Sequence, residues 1–178
     1  MQKNKRMRVF AGPNGSGKST LIKKLQADFP QLELIRNSLG DKQDFEKWWP
    51  EILDKEQDGL IPLHDRFFYS ELVYGPVIRG RINAGEVLLG NVLWFLRCGS
   101  FLVYARPHSD VLRETIKVNV QMEGVIEQFQ KLLEFYDEVM MAEKNWYTNR
   151  FFHYDFNIAN SYEQISTQIR RYVNGELG

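Results

Sequence analysis

The stretch Gly12-Pro13-Asn14-Gly15-Ser16-Gly17-Lys18-Ser19 matches the pattern G-x-x-x-x-G-K-[ST] at every defined position. It follows the apolar-leaning run Met7 to Ala11 and opens a segment whose Leu21, Ile22 and Leu25 share one helical face. The reading is strand, loop, helix, which is the context this pattern needs to hold phosphate. Glycines let successive backbone N–H groups turn inward around phosphate oxygens, and the start of the following helix adds partial positive charge. On this reading Gly12, Pro13, Asn14, Gly15, Ser16, Gly17, Lys18, Ser19 and Thr20 cradle a nucleoside triphosphate, with Lys18 reaching its β- and γ-phosphates. The Ser19 hydroxyl is expected on Mg2+, a hard cation that keeps several waters and takes few protein ligands.

Outward from the loop, Pro30 closes the first helix and Leu32 to Ile35 is the next extended run. A polar stretch with Asp41, Lys42 and Asp44 leads into a short helix expected over 45–53, and Gly59 ends that unit. Leu60 to His64 reads as a third strand, with Pro62 marking an edge or a strand start because it removes a ladder hydrogen bond. Helical stretches follow over 70–82 and 84–97, and the unbroken apolar run Phe101-Leu102-Val103-Tyr104 suits a strand buried on both faces. Met122, Val125, Ile126, Phe129, Leu132, Leu133, Tyr136, Val139 and Met140 recur at spacings of three and four, which predicts a long amphipathic helix. Arg150 to Tyr154 reads as a fifth short strand, and Ser161 to Gln164 has capping-box spacing ahead of Ile165, Ile169, Tyr172 and Val173. Strands alternating with helices predict a doubly wound, mostly parallel α/β sheet without a linker.

Composition narrows the function classes. The 178 residues are 43% hydrophobic and 26% charged, with 23 Lys+Arg against 23 Asp+Glu, which fits one globular domain and disfavours a strongly basic nucleic-acid binder. The longest nearly apolar stretch, Val87 to Leu96, is broken by Gly90 and Asn91 and falls short of the roughly 20 residues a membrane span needs. The basic start, Lys3, Lys5, Arg6 and Arg8, is followed by too few apolar residues for an export signal, and the single Cys98 agrees with a reducing compartment. The expectation is a cytoplasmic protein with no membrane association, and a homodimer is compatible with the sequence. Three histidines and one cysteine show no zinc-site spacing, and His64 has no recognisable catalytic partner.

The phosphate loop serves kinases, motor ATPases, GTPases and transport ATPases alike, so the rest of the chain must choose among them. There is no Asn-Lys-x-Asp guanine signature, no Leu-Ser-Gly-Gly-Gln transporter signature and no strand ending in paired acids. Asp65-Arg66 ends the third strand, where ligands bind in open α/β sheets. The aspartate can take a proton from an acceptor hydroxyl or hold Mg2+ through water, and the arginine can grip a phosphate with two bonds. A buried ion pair bracing the sheet edge is the alternative reading of the same two residues.

The run Asp65-Arg66-Phe67-Phe68-Tyr69-Ser70-Glu71-Leu72-Val73-Tyr74-Gly75 resembles the Asp-Arg-aromatic, Ser, Tyr segment of the thymidylate kinase and deoxynucleoside kinase superfamily. The phosphate loop and the order of elements match as well. The resemblance implies a P-loop NTPase three-layer α/β/α domain over 1–178, with five parallel strands in order 2-3-1-4-5 and a short lid at about 106–121. It implies ATP and Mg2+ on the loop and a nucleotide or nucleoside acceptor, in the narrower reading a deoxynucleoside monophosphate. Lys18, Asp65 and Arg66 would act in transfer, Ser19 and Asp65 on the metal, and Asp65, Arg66 and Tyr74 on the acceptor.

Arg79, following Tyr74 on what is expected to be one helix, is a further acceptor-binding candidate. Arg106 and Arg113 have the fork geometry to stabilise phosphoryl charge from a lid. That lid departs from the family in being poor in arginine: beyond Lys117 it continues Val118-Asn119-Val120-Gln121-Met122. The pairs Trp48-Trp49 and Phe67-Phe68 read as core, with stacking on a base as the alternative. Two other functions stay open on sequence: phosphorylation of a hydroxyl in a polynucleotide or modified base, and an ATP-binding regulatory module that transfers nothing.

Overall fold

Alternating apolar residues in the central strands set the layers. In the computed structural model, which describes residues 8–36, 61–118, 121, 123–174 and 176, the strands are β1 (Arg8–Ala11), β2 (Leu32–Arg36), β3 (Ile61–Asp65), β4 (Phe101–Ala105) and β5 (Phe151–Tyr154). They form one all-parallel sheet in the order β2-β3-β1-β4-β5, as the resemblance implied. Val9 and Ala11 of β1, with Leu102 and Tyr104 of β4, face one hydrophobic cluster, while Phe10, Val103 and Ala105 face the other. The helix α1 (Lys18–Asp28), through Leu21, Ile22 and Leu25, and the C-terminal helix, through Ile165 and Ile169, cover the second face.

The first face is covered by α2 (Phe67–Tyr74), α3 (Glu86–Gly99) and, after the shorter α4 (Ser109–Val118), by α5 (Phe129–Tyr147). Phe67, Phe68, Val92, Leu96, Leu132, Tyr136 and Met140 meet there, so the Phe67-Phe68 pair is core. A third small cluster, Leu112 and Ile116 with Phe129 and Leu133, seats α4 on α5. The last helix is α6 (Ser161–Val173). No helix of the described residues is long and apolar enough to cross a membrane.

Several expectations are corrected. Of the two places offered for Pro62 the strand start holds and the edge does not: it is the second residue of the interior strand β3, and the pairing with β1 begins only at Leu63. The helix expected over 70–82 starts at Phe67 and passes after Tyr74 into a π-helical turn, Gly75–Arg79, where Pro76 supplies no N–H. The long helix starts at Phe129 instead of at 122, because Gly124 takes a left-handed φ of +81° and residues 123–128 are turns. The capping box does not form: Asn160 is the N-cap of α6, and the Ser161 hydroxyl accepts the Asp155 N–H at 3.1 Å instead. The basic start through 7, the helix expected over 45–53 with Trp48-Trp49, and Met122 lie outside the described residues.

Candidate active site

β1, β3 and β4 end together, and Ala11, Asp65 and Ala105 mark the carboxyl edge where open α/β sheets bind ligands. The phosphate loop leaves β1 there. Gly12 has φ +140°, and a Cβ on it would lie 2.2 Å from the Ala105 carbonyl oxygen, so the close approach of loop to β4 requires glycine. A cleft of about 360 Å³ opens over the loop, lined by Asn14 to Thr20, Arg66, Thr115 and Gln121.

Lys18 begins α1 with its ammonium folded back across the loop. Nζ donates to the Gly12 carbonyl at 2.8 Å, the Pro13 carbonyl at 2.6 Å and Ser16 Oγ at 3.0 Å, which uses all three of its protons. Burial is the main reason its pKa falls to about 7; the neighbouring Arg66 lowers it further, against a smaller opposing pull from Asp65. The site is therefore short of negative charge, and a polyphosphate would supply it.

Asp65 and Arg66 are turned to different partners, so the buried-pair reading does not hold. Asp65 Oδ2 accepts the Ser19 hydroxyl at 3.0 Å, while Arg66 donates to Asn14 Oδ1. Arg66 and Phe67 have φ of +74° and +28°, values that bulky L-residues rarely adopt and that carry strain of order 1–3 kcal/mol. The Arg66 N–H donates to the Phe10 carbonyl at 2.9 Å, which pins the strained turn to β1.

Ser19 and Asp65 present hard oxygen donors at one point, and the second carboxylate oxygen, Asp65 Oδ1, is buried with no hydrogen-bond partner among the described residues. This donor set fits Mg2+ bound mainly by phosphate and water. The described residues hold no group of three or more His, Cys, Asp or Glu arranged for a metal.

Tyr74 lies against the loop. Its hydroxyl donates to Asn14 Oδ1 at 3.0 Å and accepts the Asn14 backbone N–H at 3.2 Å, and its ring meets Tyr136 edge-on at 5.9 Å. Tyr136 and Ser70 hydroxyls lie 3.1 Å apart, and burial pushes the phenols of both Tyr74 and Tyr136 up, so they are neutral hydrogen-bonding groups. Arg79 pairs with Glu71, which also accepts the Asn83 N–H at 2.8 Å. Arg106 makes a two-point pair with Asp137 at 2.9 and 3.0 Å, and Tyr104 donates to the same carboxylate at 2.6 Å. Arg113 is exposed on α4 and does not line the cleft. His64 is buried against the Phe67 ring at 4.5 Å, in keeping with a core role.

Two residues on the cleft escaped sequence reading. Thr115 and Gln121 come from the stretch expected to form the lid, and both line the cleft. Their position in that lid is a signal that polar residues there deserve testing, but neutral side chains carry no electrostatic pattern to find them by.

No family model matches the sequence, and no curated protein matches it. Solved structures do. The YorR protein of Bacillus subtilis, crystallised with phosphorylated GDP, superposes with a TM-score of 0.68 over 96% of each chain at 24% identity. Deoxyadenosine kinase of M. mycoides with bound dCTP gives 0.59 over 92% of this chain and 98% of that one at 16% identity. The chain has the fold of the P-loop kinases. Thymidylate kinase of Candida albicans shares this P-loop kinase fold, at a TM-score of 0.58, 16% identity, and coverage of 97% of this chain and 92% of that one. In the P-loop kinase fold found here, the loop, Asp65-Arg66 and Tyr74 stand at one end of the sheet, with α4 and Gln121 over them.

Proposed function

We propose that the protein is an ATP-dependent kinase that transfers a phosphoryl group to a nucleotide or nucleoside, in the narrower reading a deoxynucleoside monophosphate. The observation that carries the proposal is the contact of Ser19 with Asp65: the hydroxyl expected on Mg2+ touches the carboxylate expected at the acceptor, which joins donor and acceptor at one point. The nucleotide-bound structures that share the fold support a nucleotide site of this kind. Mg2+ on Ser19 and Asp65 would offset phosphate charge. Lys18 would leave the loop carbonyls for the β- and γ-phosphates, Asp65 would orient the acceptor hydroxyl, and Arg66 would hold acceptor or phosphoryl oxygens. Positioning and charge neutralisation do most of the work in such a reaction.

A phosphate-free acceptor, a nucleoside hydroxyl, is a second reading with one observation in its favour. Arg79 and Arg106 are both paired with carboxylates, whereas Arg66 faces a neutral amide. The test is transfer from γ-labelled ATP with Mg2+ to a panel of nucleosides, deoxynucleoside monophosphates and single-stranded oligonucleotides, with products identified by mass. Transfer to monophosphates supports the narrower reading and transfer to nucleosides the second. Transfer to oligonucleotides alone, or ATP binding with no transfer, overturns both, as would full activity in Lys18→Ala.

A further inference from the structure

Asn14 fills a position that the phosphate-loop pattern leaves undefined, yet it joins three parts of the site. Its Oδ1 accepts from Tyr74 Oη at 3.0 Å and from Arg66, its backbone N–H donates to Tyr74 Oη at 3.2 Å, and its Nδ2 donates to Gln121 Oε1. Gln121 donates in turn to the Ile116 carbonyl in α4 at 3.3 Å. One loop residue thus ties together the end of β3, the end of α2 and the segment over the cleft.

Two physical features make this more than a brace. The Tyr74 hydroxyl bonds both the side chain and the backbone of Asn14, so the ring cannot keep both bonds if the loop backbone turns. That backbone is the one whose N–H groups would meet phosphate. The second feature is charge. Arg79 and Arg106 are held by carboxylates, but Arg66 is held by an amide oxygen, which fixes its direction without neutralising it.

We propose, resting on the kinase reading above, that Asn14 is a positioning residue that couples filling of the phosphate loop to the setting of Arg66 and Tyr74 for the acceptor. The coupling is reciprocal, so an acceptor on Arg66 and Tyr74 also changes the affinity of the loop for nucleotide.

The test uses the full chain with MgADP as the loop ligand, so no acceptor need be known. Calorimetry gives MgADP affinity, and amide hydrogen exchange follows residues 66–79 with and without MgADP. In the wild type, MgADP is expected to change exchange of that segment by about fivefold or more, the low end for coupled sites. In Asn14→Ala, compared with the wild type at MgADP concentrations that calorimetry shows to saturate each protein, the response is expected to fall below about twofold. Tyr74→Phe removes the hydroxyl that bonds Asn14 while leaving the loop sequence unchanged and should do the same, and the two changes combined should add nothing further. A merely structural role would raise exchange equally with and without ligand.

An undiminished MgADP response in Asn14→Ala, or in Tyr74→Phe if the first variant does not fold, overturns the coupling. Loss of MgADP binding in Asn14→Ala with a native fold also overturns it, by placing the residue in the donor site itself. A wild type that fails to bind MgADP removes the kinase reading instead, and the coupling with it.

Discussion

Nucleotide binding should draw a proton from solvent, and the donor site accounts for how much. Burial and the nearby Arg66 push the Lys18 pKa down from an ordinary 10.5 to about 7. At pH 8 about nine in ten copies are then neutral, at pH 7 about half, and at pH 6 about one in ten. Polyphosphate oxygens in place of the loop carbonyls favour the ammonium, so the bound lysine is charged throughout this range. Binding MgADP should therefore take up about 0.9 proton at pH 8 and about 0.1 at pH 6. Titration calorimetry in buffers of different ionisation enthalpy reads this directly as the slope of observed heat. Lys18→Arg, which keeps a charge that does not titrate here, corrects for every other group and should show a slope near zero. Equal slopes in wild type and Lys18→Arg at pH 8 would refute the argument. The same shift sets a stability trend: between about pH 7 and 10.5 the unfolded chain holds a proton on Lys18 that the folded chain does not, so this group makes the protein more stable as pH rises through that window.

Further predictions concern the frame of the site. Gly12→Ala places a Cβ 2.2 Å from the Ala105 carbonyl at φ +140°, so it should abolish MgADP binding in calorimetry and lower the melting temperature; retained affinity would show that the loop has room to shift. Glu143 is buried and accepts from Arg97, which also lies over the Trp146 ring, and from Tyr69 at 3.0 Å. Glu143→Ala should cost about 1.5–3 kcal/mol in urea denaturation by leaving the partly exposed Arg97 without its carboxylate, while Tyr69 keeps the Tyr147 hydroxyl at 2.8 Å, and a cost under about 0.5 kcal/mol would contradict that account.

Local rules made the sheet legible. A strand such as Phe101–Ala105 is buried on both faces and reads as an unbroken apolar run, while α1 beyond Lys18 buries Leu21, Ile22 and Leu25 and reads as a helix of one apolar stripe. The misread boundaries are those decided by competition between neighbours. Ser161 has the right spacing to cap α6, but the Asp155 N–H takes its hydroxyl first. Val125 is buried as the 3.6-residue period requires, yet Gly124 has already broken the helix there. In the site, the loop and Asp65-Arg66 are legible because a fixed glycine spacing and a charged pair at a strand end are local patterns. The tie of Asn14 to Tyr74 spans 60 positions and that to Gln121 spans 107, and no local pattern encodes which neutral partner a side chain meets across such a distance.

The same distance problem governs Arg106, whose partner Asp137 lies 31 residues on. Sequence offers the arginine as a lid cation; the structure shows it occupied. Whether occupied means unavailable depends on exposure. The Asp137 side chain is 43% exposed and that of Arg106 18%, so the carboxylate can be rehydrated when the arginine leaves, and a partly exposed two-point pair of this kind is worth about 1 kcal/mol. A triphosphate offers charge-assisted bonds stronger than that, so Arg106 can be drawn away at small cost. Asp137→Asn isolates this step, because the amide oxygen still accepts from Tyr104 while the charge that retains Arg106 is gone. Stability in urea should change by less than about 1 kcal/mol, and MgATP should bind several-fold tighter, by about the free energy no longer spent on parting the pair. Unchanged MgATP affinity with unchanged stability would place Arg106 outside the donor site and leave Lys18 and Arg66 as the cations that line the cleft among the described residues.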